Sequence, residues 1–372
     1  EGLREKIKKS GKIKLYLGID PTGSQLHLGH SIPLRKLQQF QEQGHHVIFL
    51  IGSFTAMIGD PTGRDEARVP LTREQVEANF KNYKKQASKV LDFKKVEIRY
   101  NHEWLEKLSF TDVLKLSSHF TIQQMLQRDM FRERMKRGED LSPNEFMYPL
   151  MQGYDSVALD VDLEIGGNDQ LFNMLAGRKL MKALKNKEKW VLTTPLIEGI
   201  DGRKMSKTYG NTVNIEDEPG DMFGKLMSLS DSLIIKYFLL CTDVPIKTID
   251  EIDAALKDGE NPKDAKVRLA TEIVAMYHNA KAAEKAKAEF EKVFSKGGVP
   301  DDMPVFELKG RMNIIDLLEK CKLVESRGDA KRMIAQNAVK VDDKKITAVG
   351  EEVKLKTGMV IQVGKRKFAR IG

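Results

Sequence analysis

Between residues 13 and 51 the chain reads strand, helix, strand, an order that points to a parallel sheet. Ile13, Leu15, Leu17 and Ile19 alternate with Lys14, Tyr16 and Gly18, the period-two signature of a strand. A helical pattern over 31–43 carries Ile32, Leu34, Leu37 and Phe40 and stops at Gly44. Residues 47–51, Val-Ile-Phe-Leu-Ile, form an unbroken apolar run suited to a strand covered on both faces. In sheets built from such units, ligands bind beyond the carboxyl ends of the strands, where residues 20–30 fall. This connection holds His27 and His30 around Gly29, at a helix start whose N–H groups and dipole favour an anion. Taken alone, the histidine pair suits an ordinary surface or core role equally well.

A second polar loop bears on that choice. Residues 192–197 read as a strand and 198–203 as a glycine-containing turn, leading into Lys204-Met205-Ser206-Lys207-Thr208. Two ammonium groups on a glycine-flanked loop are suited to swing onto a polyphosphate. A third loop, 59–68, is good turn chemistry, and its Arg64 and Arg68 are equally able to close over phosphates. On the helical segment that follows, Tyr148, Gln152 and Asp155 stand at i, i+4 and i+7. They therefore share one face, which suggests a specific pocket. Gly166 and Gly167 then form a strand-to-helix corner with Asp169 and Gln170 at the next helix start.

At 372 residues, two or three domains are expected. Cys241 and Cys321 lie far apart without metal-ligand spacing, so neither a zinc site nor a disulfide framework is expected and a reducing cytoplasm is the simplest compartment. No apolar run reaches membrane-spanning length. Residues 72–137 are mostly helical with one extended segment at 96–100, and 111–137 read as two amphipathic helices. Helices continue from 217 to about 295, the last over 262–294, before a Pro/Gly linker at 295–304. From residue 305 onward, 16 Lys/Arg stand against 9 Asp/Glu, while the rest of the chain is nearly neutral. A basic tail on a neutral body points to a polyanionic partner. Within it Arg327, Lys331 and Arg332 share a helix face.

With the motifs at 27–30 and 204–208 both in view, the chain resembles the class I aminoacyl-tRNA synthetases, and more narrowly the bacterial-type tyrosyl-tRNA synthetase family. The resemblance runs over essentially the whole chain, with a family lead-in helix expected to be missing or shortened at the N-terminus. It implies an α/β fold: a Rossmann-like parallel-sheet catalytic domain over 1–216 with a helical dimerisation insertion at about 72–150. An all-helical anticodon-arm domain over 217–296 and a small α+β RNA-binding domain over 305–372 would follow. It implies two steps, activation of tyrosine by ATP and transfer of the tyrosyl group to tRNA(Tyr), in a cytoplasmic homodimer. Magnesium would arrive with ATP, without a protein-ligated metal.

Carried over by position, Tyr16 and Asp155 would bind the phenol hydroxyl, and Tyr148, Gln152 and Asp60 the α-ammonium. Asp20, Asp169 and Gln170 would line the tyrosine and ribose sites, and Thr22, His27, Gly29 and His30 would face the ATP phosphates. Arg64 and Arg68 fit the family's basic loop, and Lys204, Met205, Ser206, Lys207 and Thr208 its signature loop. Pro33 departs from relatives in which a polar residue there contacts ATP. Three rival readings carry different expectations: a tryptophanyl enzyme, a small-molecule nucleotidyltransferase, and a non-catalytic RNA-binding protein on a synthetase scaffold.

Overall fold

The computed structural model describes residues 1–22, 25–60, 71–206, 209–295, 303–364 and 367–372. They form two compact units, one of Glu1–Asp217 with Leu229–Pro262, the other of Glu218–Ser228 with Lys263–Gly372.

In the first unit, β1 (Lys14–Ile19), β2 (His46–Ile51), β3 (Glu97–Tyr100), β4 (Leu163–Gly167) and β5 (Trp190–Thr194) make one sheet in the order β3-β2-β1-β4-β5. Every neighbouring pair is parallel, as the strand–helix–strand reading required. The order of connection reverses between β1 and β4, which opens a crevice at their carboxyl ends. Five of the six β2 residues are buried, consistent with helices on both faces.

A nine-residue helix, α1 (Gly2–Ser10), precedes β1; it buries no residue, so no strong apolar stripe announced it. The next helix, α2 (Leu28–Glu42), starts three residues before its periodic pattern, with His27 as N-cap and His30 in the first turn. Tertiary pairing sets this start: Leu28 N donates to Val213 O (3.0 Å) and Ile215 N to Leu26 O (2.9 Å). After α3 (Thr55–Ile58), α4 (Arg73–Ala87) opens on a capping box: Gln75 N donates to Thr72 Oγ1 (3.3 Å) and Thr72 N to Gln75 Oε1 (2.9 Å).

Beyond α5 (His102–Leu105), the two helices expected over 111–137 are three: α6 (Phe110–Ser117), α7 (Ile122–Leu126) and α8 (Asp129–Lys136). Thr121 accounts for the extra break, because its hydroxyl accepts from Gln124 N (3.2 Å) and restarts the helix. Helix α9 (Pro143–Leu159) runs further than expected, to a left-handed Asp160 (φ 49°), and α10 (Leu171–Lys185) ends likewise at Asn186 (φ 49°).

Of the following helices, α11 (Pro219–Met227) belongs to the second unit, whereas α12 (Ile234–Cys241) and α13 (Ile246–Lys257) belong to the first. The single helix expected over 262–294 is divided into α14 (Pro262–Tyr277) and α15 (Ala280–Ser295). Asn279 divides it: its Oδ1 accepts from Ala282 N (2.9 Å), a cap hidden in a run rich in Ala, Lys and Glu. The expected linker lies largely outside the described residues.

The C-terminal part of the second unit contains β6 (Val305–Phe306), β7 (Arg311–Asn313), α16 (Ile314–Lys320), α17 (Arg327–Ala335), β8 (Val339–Val341), β9 (Lys344–Lys345), β10 (Glu352–Lys354), β11 (Val360–Val363) and β12 (Lys367–Ile371). Five strands form a sheet in the order β6-β12-β11-β8-β9, and β10 pairs with β7. Leu317, Leu318, Ile334, Val339 and Ile361 are buried in its core. Cys241 and Cys321 are both buried and free. No helix among the described residues is long and apolar enough to cross a membrane.

Candidate active site

The crevice between β1 and β4 is a cavity of about 450 Å³. Of the residues singled out in the sequence, Tyr16, Asp20, Thr22, His30, Asp60, Tyr148, Gln152, Asp155 and Gln170 line it. His27, Gly29, Asp169, Lys204, Met205 and Ser206 do not form its wall, and Arg64, Arg68, Lys207 and Thr208 lie outside the described residues. The face shared by Tyr148, Gln152 and Asp155 on α9 is therefore a pocket face.

At the end of β1, Asp20 accepts from Thr55 Oγ1 (2.8 Å) and from Tyr148 OH (2.7 Å). A Cβ on Gly52 would collide with both Asp20 and Thr55, so any larger residue there would displace this hydrogen-bonded pair. Burial, then Asp20 and Asp60, raises the Tyr148 hydroxyl pKa well above its usual value, leaving it a neutral donor. Asp60 accepts from Gln170 Nε2 (2.9 Å), whose own carbonyl accepts from Asn173 Nδ2 (3.1 Å).

Deeper in, Asp155 accepts from Trp104 Nε1 (2.8 Å) and Asn101 Nδ2 (3.3 Å). Burial pushes its carboxyl well above the usual carboxylate range, these two hydrogen bonds oppose the shift, and Glu164 and Asp20 add to it. Tyr16, fully buried, shares a 2.9 Å hydrogen bond with Ser156 Oγ.

At the rim, the His27 and His30 rings lie 3.8 Å apart, and a Cβ on Gly29 would come within 3.1 Å of the His27 ring. His30 Nδ1 accepts from His27 N (3.2 Å), so its Nε2 carries the proton and is a donor. This arrangement makes His30 a hydrogen-bond donor at a helix N-terminus, the expected chemistry for an anion.

Asn211 organises the lysine loop. Its Nδ2 donates to Asp201 Oδ1 (2.8 Å) and Lys204 O (3.1 Å), and its Oδ1 accepts from Ser206 N (2.9 Å). Burial raises the Asp169 carboxyl pKa and Asp60 adds to the rise, while backbone N–H groups at the start of the following helix and, least, the charge of Lys204 oppose it.

Sequence reading passed over Asn101, Trp104, Ser156, Glu164, Lys189 and Asn211. Only Glu164 carried a local signal, a charge inside an apolar strand.

The family model "tRNA synthetases class I (W and Y)" matches residues 8–295, and the model of the tyrosine–tRNA ligase SYY-like C-terminal domain matches 295–371. The chain belongs to the class I tyrosine–tRNA ligase family. The tyrosine–tRNA ligase of Thermotoga maritima is 47% identical over 373 residues, covering 100% of this chain and 93% of that protein. Its counterpart in Shewanella oneidensis is also 47% identical, over 99% of this chain and 94% of its own.

Among solved structures, a C-terminally truncated mitochondrial tyrosyl-tRNA synthetase from Coccidioides posadasii aligns with a TM-score of 0.60 at 27% identity, covering 77% of this chain and 86% of that one. The Archaeoglobus fulgidus tyrosyl-tRNA synthetase complexed with L-tyrosine gives 0.60 at 25%, covering 77% and 93%. A Plasmodium falciparum tryptophanyl-tRNA synthetase, at 16% identity, a TM-score of 0.58 and coverage of 77% and 80%, shares the fold. The tryptophanyl alternative shares the first family model, but the C-terminal model and the relatives above are those of tyrosine–tRNA ligases.

Proposed function

We propose that this family member is itself a tyrosine–tRNA ligase, which activates tyrosine with ATP to tyrosyl-adenylate and pyrophosphate and then transfers the tyrosyl group to the 3′ end of tRNA(Tyr). The observation that carries the reading is one cavity lined by Asp20 just after β1, by His30 in the first turn of α2, and by Tyr148, Gln152 and Asp155 from α9. Asp155 and Tyr16 take the phenol hydroxyl; Tyr148, Gln152 and Asp60 take the α-ammonium. Asp20, Asp169 and Gln170 serve the amino acid and the ribose.

The substrate carboxylate is already an anion, so its attack on the α-phosphorus needs no general base. The bond to pyrophosphate breaks, and the task is to meet the charge growing on the leaving group. Lys204, Lys207, Thr208, Arg64 and Arg68 do so, with Met205 and Ser206 shaping the ATP side of the loop. Thr22, His27, Gly29 and His30 hold the phosphates beforehand. Magnesium enters with the nucleotide. ATP–pyrophosphate exchange with tyrosine, tryptophan and phenylalanine in parallel tests the reading. Exchange with tyrosine alone is expected; exchange with tryptophan, or with none, overturns it.

The product domain order is catalytic (1–216), anticodon-arm (217–296) and RNA-binding (305–372), and the site of action is the cytoplasm, where tRNA is charged. Arg327, Lys331 and Arg332 contact the tRNA backbone. Arg327 is paired with Asp316 and Glu319, and Arg332 with Asp329, at the surface. Such exposed pairs are screened by solvent, contribute little, and yield readily to phosphates.

The working form is a homodimer. Phe110 on α6 and Ile122 on α7 are 78% and 62% exposed, unusual for side chains of that size. Leu171 and Leu175 on α10 are exposed as well, and α10 abuts α7 through a Lys179–Gln124 hydrogen bond (3.2 Å). Phe110→Glu with Ile122→Glu should convert the dimer to a folded monomer in sedimentation equilibrium. A wild-type monomer, or an unaffected dimer, would remove this interface from consideration.

A further inference from the structure

Lys189, immediately before β5, is completely buried, and its ammonium is paired with Glu164 of β4, itself only 2% exposed. It also donates to Met174 O (2.9 Å). The fold makes room for it: a Cβ on Gly177 of α10 would lie 2.7 Å from Lys189 Nζ and 2.7 Å from Ser156 Oγ. A buried ion pair is a poor device for stability, since desolvation consumes most of the attraction. Its position suggests a different use.

Glu164 lines the cavity, and its Oε1 accepts from Gln152 Nε2 at 3.0 Å. A carboxylate can only accept, so the amide group facing it must be the NH2. The Gln152 carbonyl is thereby left for the cavity, where a primary ammonium needs an acceptor. The other carboxylate oxygen of Glu164 accepts from Ser156 Oγ (3.4 Å), the hydrogen-bond partner of Tyr16. Without the ammonium, Glu164 would stand in the same buried pocket as Asp155 with its charge uncompensated. No ammonium would then pin that carboxylate with Oε1 towards Gln152, so the orientation of the amide would no longer be fixed.

We propose that Lys189 is a positioning residue for amino-acid recognition: by pinning the Glu164 carboxylate, it fixes the Gln152 amide with its carbonyl oxygen towards the substrate's α-ammonium. This rests on the tyrosine reading of the cavity.

The test compares tyrosine with 3-(4-hydroxyphenyl)propionate, which keeps the phenol and carboxylate but lacks the ammonium. In Lys189→Met, the KM for tyrosine in pyrophosphate exchange should rise roughly 10- to 100-fold, the range of one hydrogen bond to a charged group. The KM for ATP and the inhibition constant of the deaminated analogue should stay within about twofold of wild type.

Because Lys189→Met leaves a buried carboxylate unpaired and can fail to fold, Glu164→Gln/Lys189→Met is measured alongside. Its neutral amide can present either an acceptor or a donor to Gln152. Folding should recover while the tyrosine KM stays raised about tenfold and the analogue binds normally. Equal weakening of tyrosine and analogue in the folded variants, or wild-type tyrosine KM in the double variant, overturns the role of Lys189. A wild-type protein with no tyrosine-dependent exchange overturns the cavity reading instead, so the two failures are distinguishable.

Discussion

Asp155→Ala is expected to lower kcat/KM for tyrosine by roughly three orders of magnitude while the KM for ATP stays within about threefold. Asp155 is buried in the cavity wall, with Trp104 donating to one carboxylate oxygen and Asn101 to the other. In the proposed complex the phenol hydroxyl supplies the remaining donor. A buried acceptor is costly when its partner is missing, so the same residue rejects phenylalanine. Tyrosyl enzymes are the standard example of such rejection, at roughly 10⁵-fold, a general figure and not one obtained from this chain. In the variant that discrimination should collapse along with tyrosine activation. Pyrophosphate exchange measured with both amino acids checks it; near-normal tyrosine exchange would show that the hydroxyl is recognised elsewhere.

Lys204→Ala should act on the other substrate and at the other stage of the reaction. Removing one group that stabilises transition-state charge typically costs 10²- to 10³-fold in kcat, about 3–4 kcal/mol. The KM for tyrosine should hardly change, because Lys204 does not line the cavity. Its backbone carbonyl is held by Asn211, so truncating the side chain leaves the loop's anchoring intact. Single-turnover adenylate formation separates the step from tRNA transfer. A raised tyrosine KM with an unchanged rate would assign Lys204 to ground-state binding.

The sequence was most legible where physics acts locally. The apolar run of β2, the alternation in β1 and the i, i+4, i+7 spacing on α9 each carry their structural meaning within a dozen residues. Two of the misreadings were local in origin, and a third was not. Thr121 and Asn279 each end one helix and start another, but a polar side chain within an amphipathic run looks like any solvent-facing residue until its hydroxyl or amide is seen on a backbone N–H. The start of α2 shifted because its first turn is tied to 213–215, almost two hundred residues away.

What the chain determined by itself was therefore the parallel sheet, the position of the crevice and the residue types facing it. The state of those residues was decided only by the tertiary structure. Asp155 is held by Asn101 and Trp104, 54 and 51 positions earlier, and Gln152 is oriented by a carboxylate paired with Lys189, 25 positions beyond it. No periodicity encodes such partners. A buried polar group needs a specific donor or acceptor at hydrogen-bond distance, and the crossovers of the sheet decide which one arrives there.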